Sequence, residues 1–208
     1  MKILFLLFLI SCAVTSPPYQ PEMQDFNYIT PTPKYVAHWD FKESGAMWTS
    51  QLSDALDVYG RELLLYTPND IKNFTDSKFD NPIKRKQFYI ALVSCMAKYE
   101  SGFKPDSFYT EKFSDNSGNK VVSRGLLQIS GESARGYKCD VPKDNYKILH
   151  DTKINLECGV RILNKWIIKD GVISNYNNNI YYGGARYWAV LRNEVLKKIQ
   201  TCTQSLLK

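Results

Sequence analysis

Two short segments hold residues whose types and spacing could do chemistry. They are Lys98-Tyr99-Glu100-Ser101-Gly102-Phe103-Lys104-Pro105 and, downstream, Ser123-Arg124-Gly125-Leu126-Leu127-Gln128-Ile129-Ser130. Glu100 stands where a helix should stop. Apolar residues at Phe88, Ala91, Leu92, Cys95, Met96 and Tyr99 predict a helix from Lys84 to Tyr99 with one face on a core. Gly102 then offers a left-handed cap, and Pro105 prevents the helix from resuming. The carboxyl of Glu100 falls at the edge of the buried face, beside the unsatisfied carbonyls of the last turn. Desolvation and the negative helix end both disfavour its ionisation. They raise its pKa from about 4.3 toward neutrality, which suits a carboxyl that must hold a proton and donate it. A Glu before Ser-Gly also ends many helices with no catalytic role, so Glu100 alone does not define a site. The second segment adds Gly125, which lets backbone approach a ligand closely, and Gln128, whose amide can donate and accept toward a polyhydroxylated substrate.

Taken together, Glu-Ser-Gly-Phe and Gly-Leu-Leu-Gln-Ile resemble the paired signature of the soluble lytic transglycosylase and goose-type lysozyme superfamily. The resemblance continues through Asp151-Thr152-Lys153-Ile154-Asn155-Leu156-Glu157-Cys158-Gly159 and covers roughly residues 84 to 192, about half of the chain. It implies a mainly α, lysozyme-like α+β single domain with a long groove for a glycan strand. It also implies cleavage of the β-1,4 bond between MurNAc and GlcNAc in peptidoglycan by a single catalytic Glu, here Glu100. The product would be a 1,6-anhydro sugar if the C6 hydroxyl attacks, as in a lytic transglycosylase, or a reducing end if water attacks, as in a lysozyme. In the family's pattern Ser101, Gly125 and Gln128 lie against substrate. Tyr182, in Tyr181-Tyr182-Gly183-Gly184-Ala185, is the nearest match to the Tyr of the family's Ala-Tyr-Asn-Ala-Gly motif, which lies near the catalytic Glu. No cofactor is implied.

The chain departs from that pattern in three places. Leu127 replaces a Met with little change of volume. The motif around Tyr182 has lost its Asn. The interval from Glu100 to Gly125 is long, and within it Asp115-Asn116-Ser117-Gly118-Asn119 is a turn signal flanked by Phe108, Tyr109, Phe113, Val121 and Val122. A short hairpin beside the groove is expected there. Glycosidases normally use two carboxyls roughly 5 to 10 Å apart, and Glu111 and Asp115 in this insertion are candidates for the second. Either could instead be a solvated turn residue. Facing the groove, one would serve hydrolysis or favour a glucosamine whose amine is uncovered.

The N-terminus points to an envelope. Ile3 to Ile10 is an apolar run far short of the roughly 20 residues that cross a bilayer, and reads as a secretory leader. Leu9-Ile10-Ser11-Cys12 resembles a bacterial lipobox, which would make Cys12 the lipidated first residue of the mature protein; ordinary cleavage near Ser16 is the alternative. Residues 1–12 are therefore read as leader with lipobox, 13–36 as a Pro-rich extended tether, and 37–208 as the catalytic domain. The expected location is the outer membrane facing the periplasm, through the lipid on Cys12, or secretion without it. Cys95, Cys139, Cys158 and Cys202 remain for up to two bridges in an oxidising space. Cys139 and Cys158 flank one loop and are expected to pair, while Cys95 either joins Cys202 or stays a small buried hydrophobe.

Helical patterns over Val36–Tyr66, Cys158–Ile168 and Trp188–Ile199 complete the framework, and strands are expected only in the hairpin. His38 and His150 have no partners at metal-ligand spacing, so no metal is expected. A formal charge of +6 is spread along the chain, which favours an anionic polymer without the concentrated basic stripe of a nucleic-acid binder. The expected partner is the peptidoglycan strand, met by a monomer. Two other readings stay open, a chitinase-like glycoside hydrolase and a wall-binding lipoprotein that has lost its chemistry.

Overall fold

The computed structural model describes residues 34–115 and 118–208. The leader with Cys12 and the tether up to residue 33 lie outside the described residues, as do 116 and 117 of the insertion.

A central helix organises the fold. It is α3, Pro82–Ser101, which follows α1 (Gly45–Tyr59) and α2 (Arg61–Leu65) in the chain. The α3 helix begins where Asn81 accepts a hydrogen bond from the Lys84 backbone N–H at 2.9 Å, with Pro82 in the first turn, where its missing donor costs nothing. Every residue from Phe88 to Ala97 is buried. The expected one-sided apolar stripe is thus a helix enclosed on all sides, with α1 and α2 against it and α6 (Asn193–Leu206) against another face. Ser94 is tolerated in this interior because its hydroxyl donates to Ala91 O and accepts from His38 N.

The second long helix is α5, Thr152–Asp170, capped by Asp151 and ended by Gly171 in a left-handed conformation. It packs along α1, and Leu52, Leu56, Val160, Leu163 and Ile167 all enter the core. Between α3 and α5 the insertion forms β1 (Phe108–Ser114) and β2 (Lys120–Arg124), paired antiparallel as expected. A third strand, β3 (Ile129–Ser130), pairs with β2 and runs into the short helix α4 (Gly131–Gly136). A second antiparallel hairpin, β4 (Ser174–Asn177) and β5 (Ile180–Gly183), was not expected. Its tight turn uses Asn178 and Asn179, both at positive φ (49° and 61°), the conformation that Asn tolerates best after Gly. Mixed helix and antiparallel sheet in one mostly helical unit agrees with the expected α+β class.

Two bridges are present, Cys139–Cys158 and Cys95–Cys202. The first is the expected one. The second joins α3 to α6 and resolves the alternative left open for Cys95. Among the described residues no helix is long and apolar enough to cross a membrane, and no group of three His, Cys, Asp or Glu could hold a metal ion.

Candidate active site

The C-terminal end of α3 carries Glu100 into a groove of about 460 Å³. Gly102, at φ 61°, turns the chain, and its N–H bonds back to Lys98 O at 3.1 Å while that of Phe103 reaches Ala97 O at 3.4 Å. Phe103 is itself left-handed at φ 63°, a costly state for a bulky side chain. Its ring is held edge-on by His38 and Phe41, each 5.6 Å between centroids. Helix termination is therefore fixed from both sides of Glu100.

The Glu100 carboxyl is half-buried and makes no hydrogen bond among the described residues. Desolvation raises its pKa to about 8, with the negative charge of Glu111 adding to the effect. The expected direction is found, and the neighbouring carboxylate takes the part assigned to the helix end. Glu111 arrives there because β1 is irregular. Pairing with β2 is regular from Phe108 to Thr110 and resumes at Ser114 opposite Lys120, so the register shifts across Glu111. Such bulges redirect side chains. Ser123 Oγ, on β2, donates to Glu111 Oε1 at 2.9 Å, and both residues line the groove. Asp115 behaves differently: its carboxylate accepts from Asn119 N at 2.8 Å at the tip of the hairpin, and it is absent from the groove lining.

The loop from Gly125 to Gln128 forms another wall, and a residue not singled out from the sequence builds it. Asn155 is fully buried in α5. Its Oδ1 accepts from Leu127 N at 2.9 Å, and its Nδ2 donates to Arg124 O at 3.0 Å and to Leu149 O at 2.9 Å. Gly125 stands at φ 79°, and a Cβ there would come within 2.2 Å of Leu149 O and 2.3 Å of Asn155 Nδ2. The close approach that this glycine permits is thus to the protein's own scaffold. Gln128 does reach the groove; its Nε2 donates to Gly125 O at 2.8 Å and to Ser107 O at 3.2 Å, which leaves the amide oxygen for a ligand. Ser101 is buried and its hydroxyl lies 3.0 Å from Leu126 O and 3.2 Å from Ala97 O, tying the helix end to the loop rather than facing the groove.

Tyr182 lies on β5, outside the groove lining, with the Arg186 guanidinium over its ring at 5.1 Å. Tyr187 lines the groove in its stead, along with Trp188, whose Nε1 donates to Leu127 O at 2.9 Å. Glu132, in the first turn of α4, adds a third carboxyl to the lining. Of these, only Asn155 left a readable trace, since it shares the helical stripe of Gly159 and Ile162 and so had to be a buried polar group with an assigned partner.

No family model matches the chain, and no curated protein does. Solved structures do. The wild-type form 2 of Bd0314 DslA, a Bdellovibrio protein, is 38% identical, with a TM-score of 0.76 over 84% of this chain and 98% of that one. This chain belongs to the DslA family. Two further structures are Glu-to-Gln variants of Bd0314 DslA, at its positions 143 and 154. They match at 37% and 38% identity, each with a TM-score of 0.76, covering 85% and 84% of this chain and 100% and 98% of theirs. Bd0314 DslA therefore matches most of this chain in fold.

Proposed function

We propose that this DslA-family protein cleaves the glycan strand of peptidoglycan, on a lysozyme-like fold, with Glu100 as the acid. The observation that carries this reading is Glu100 itself: a half-buried carboxyl, protonated below about pH 8, without a hydrogen-bond partner among the described residues, and lining a groove of about 460 Å³. A protonated Glu100 gives its proton to the glycosidic oxygen between MurNAc and GlcNAc, and the C1–O bond breaks as charge develops on the ring. The carboxylate left behind then takes a proton from the attacking group, either the C6 hydroxyl or a water. Gln128 Oε1 accepts from substrate N–H or O–H groups beside it. The resemblance of Glu-Ser-Gly-Phe and Gly-Leu-Leu-Gln-Ile to the transglycosylase and goose-type lysozyme signature supports the same chemistry.

Glu111 favours a second element of this reading. Its carboxylate shares the groove, and its separation from Glu100, eleven residues, equals that between positions 143 and 154, the two Glu-to-Gln sites in Bd0314 DslA. A fixed negative charge there suits a base that activates water, or a counter-charge to an uncovered glucosamine amine. The two disulfides support an oxidising compartment, in line with a leader and lipid on Cys12.

The test is digestion of purified sacculi, fully acetylated and chemically de-N-acetylated, by wild type and by Glu100→Gln, with the released ends identified by mass spectrometry. Reducing ends support hydrolysis and anhydro ends a transglycosylase. Turnover of chitin oligomers without turnover of sacculi would replace the reading by the chitinase-like one. Unchanged muralytic activity in Glu100→Gln would replace it by a wall-binding role.

A further inference from the structure

Aromatic and basic residues that the catalytic groove does not use gather between the end of α1 and the outer face of α5. There a cleft of about 410 Å³, within the usual size of ligand sites, is walled by Tyr59, Tyr137, Lys138, Arg161 and Lys165. The Arg161 guanidinium lies over the Tyr59 ring, 3.7 Å from its centroid. The Lys165 ammonium lies 4.8 Å from the centroid of Tyr137 and 5.3 Å from that of Trp166. Those two rings are fixed to each other, because Trp166 Nε1 donates to the Tyr137 oxygen at 2.6 Å.

A ring face orients a cation without neutralising it. Among the described residues Lys138, Arg161 and Lys165 form no ion pair, whereas Lys84, Lys86, Lys153 and Lys197 each meet a carboxylate. No carboxylate lines the cleft among the described residues, and Asn164 in its wall donates from Nδ2 to Glu62 at 2.6 Å. The Arg161 and Lys165 heads are thus held against rings, Lys138 stands exposed beside them, and among the described residues none of the three side chains donates a hydrogen bond. The walls of the cleft and the catalytic groove touch, since Tyr137 meets Tyr187 edge-on at 5.9 Å and Tyr187 lines that groove.

We infer that the cleft is a second binding site, for an anionic stretch of glycan strand, with Lys138, Arg161 and Lys165 pairing carboxylates while the flanking rings pack on sugars. The inference rests on the reading that the substrate is peptidoglycan, whose peptide stems carry carboxylates along the strand. A strand engaged there and in the groove at once is held by two sites, and its effective concentration at Glu100 rises without any new contact to the scissile bond.

The test combines two measurements with Arg161→Glu/Lys165→Glu, and with Arg161→Gln/Lys165→Gln as a milder pair if the reversal lowers the melting temperature. Retention on intact sacculi is measured in the Glu100→Gln background, so that binding is read without cleavage; it should fall about tenfold in the double variant, and its salt dependence should flatten. Sacculi whose carboxylates have been amidated with a carbodiimide should retain parent and double variant alike. In the wild-type background, turnover of a soluble tetrasaccharide too short to leave the groove should stay the same. Unchanged retention on intact sacculi, a parent that binds amidated sacculi as strongly as intact ones, or an equal loss on the tetrasaccharide would each overturn the inference. Failure of wild type to cleave sacculi at all would instead overturn the proposed function, and the retention measurement would still decide whether the cleft binds the strand.

Discussion

Glu111, redirected by the bulge in β1 and held by Ser123, shares a groove with Glu100 and adds its charge to the desolvation that keeps Glu100 protonated. An acid that must be protonated loses activity as the pH rises through its pKa, so the alkaline limb of the wild-type profile should fall near pH 8. Removing the neighbouring negative charge makes ionisation easier. Glu111→Gln should therefore move that limb to lower pH, while desolvation, the larger cause, still holds it above the ordinary carboxylate range. A pH–rate profile on soluble glycan fragments reads the shift, and a limb that stays in place in Glu111→Gln would separate the two carboxyls.

The same carboxyl makes stability depend on pH. The folded state holds the Glu100 proton up to about pH 8 and the unfolded state releases it near 4.5, so the folded state binds more protons between those values and is destabilised as pH rises through that window. Glu100→Gln has no such proton to lose. Urea melts from pH 5 to 8 should show the wild type weakening relative to the variant, and parallel curves would contradict the assignment.

Asn155 and Gly125 set the loop to which the helix end is tied. Asn155→Ala leaves Leu127 N, Arg124 O and Leu149 O without their partner, at a cost of about 3 kcal/mol. Gly125→Ala meets both a left-handed backbone and atoms at 2.2 and 2.3 Å, with a loss of roughly 3–5 kcal/mol. Denaturant midpoints measure both. A Gly125→Ala protein of wild-type stability would show that the loop sits elsewhere.

The bridges close loops of 19 and 107 residues, which the chain-entropy account values at about 3 and 5 kcal/mol. Replacing Cys95 and Cys202 together by Ser should lower the melting temperature by roughly 10 °C or more, with a smaller fall for the Cys139 and Cys158 pair. Scanning calorimetry checks the order.

Local signals in the sequence carry the helix ends and the first hairpin. Gly102 and the Asp115–Asn119 turn act through backbone bonds, and Asn81 and Asp151 through side chains that accept from the N–H three residues on, all within a few residues. Enclosure of α3 was not readable in that way. A buried helix shows the same apolar positions whether one side or all sides are covered, and part of the cover comes from α6, far along the chain. The second hairpin was hidden because its strands, Ser174–Asn177 and Ile180–Gly183, are short and mostly polar, and only the Asn-Asn turn marks them. At the site, Glu100 and Gln128 reach the groove as expected. Ser101, Gly125 and Tyr182 do not: Ser101, the last residue of α3, turns its hydroxyl to Leu126 O, and spacing along a loop or strand leaves open which face the other two take. Glu111 illustrates the reverse: a register shift of the kind that no local pattern announces brings it to the acid.

The Cys95–Cys202 bridge ties the helix that presents Glu100 to the last helix of the chain. A polypeptide still short of position 202 cannot make that link, whatever else it has folded. The cross-link between α3 and α6 therefore forms only once position 202 has been made and an oxidant met, so the redox state of the surroundings decides whether the two helices are covalently one.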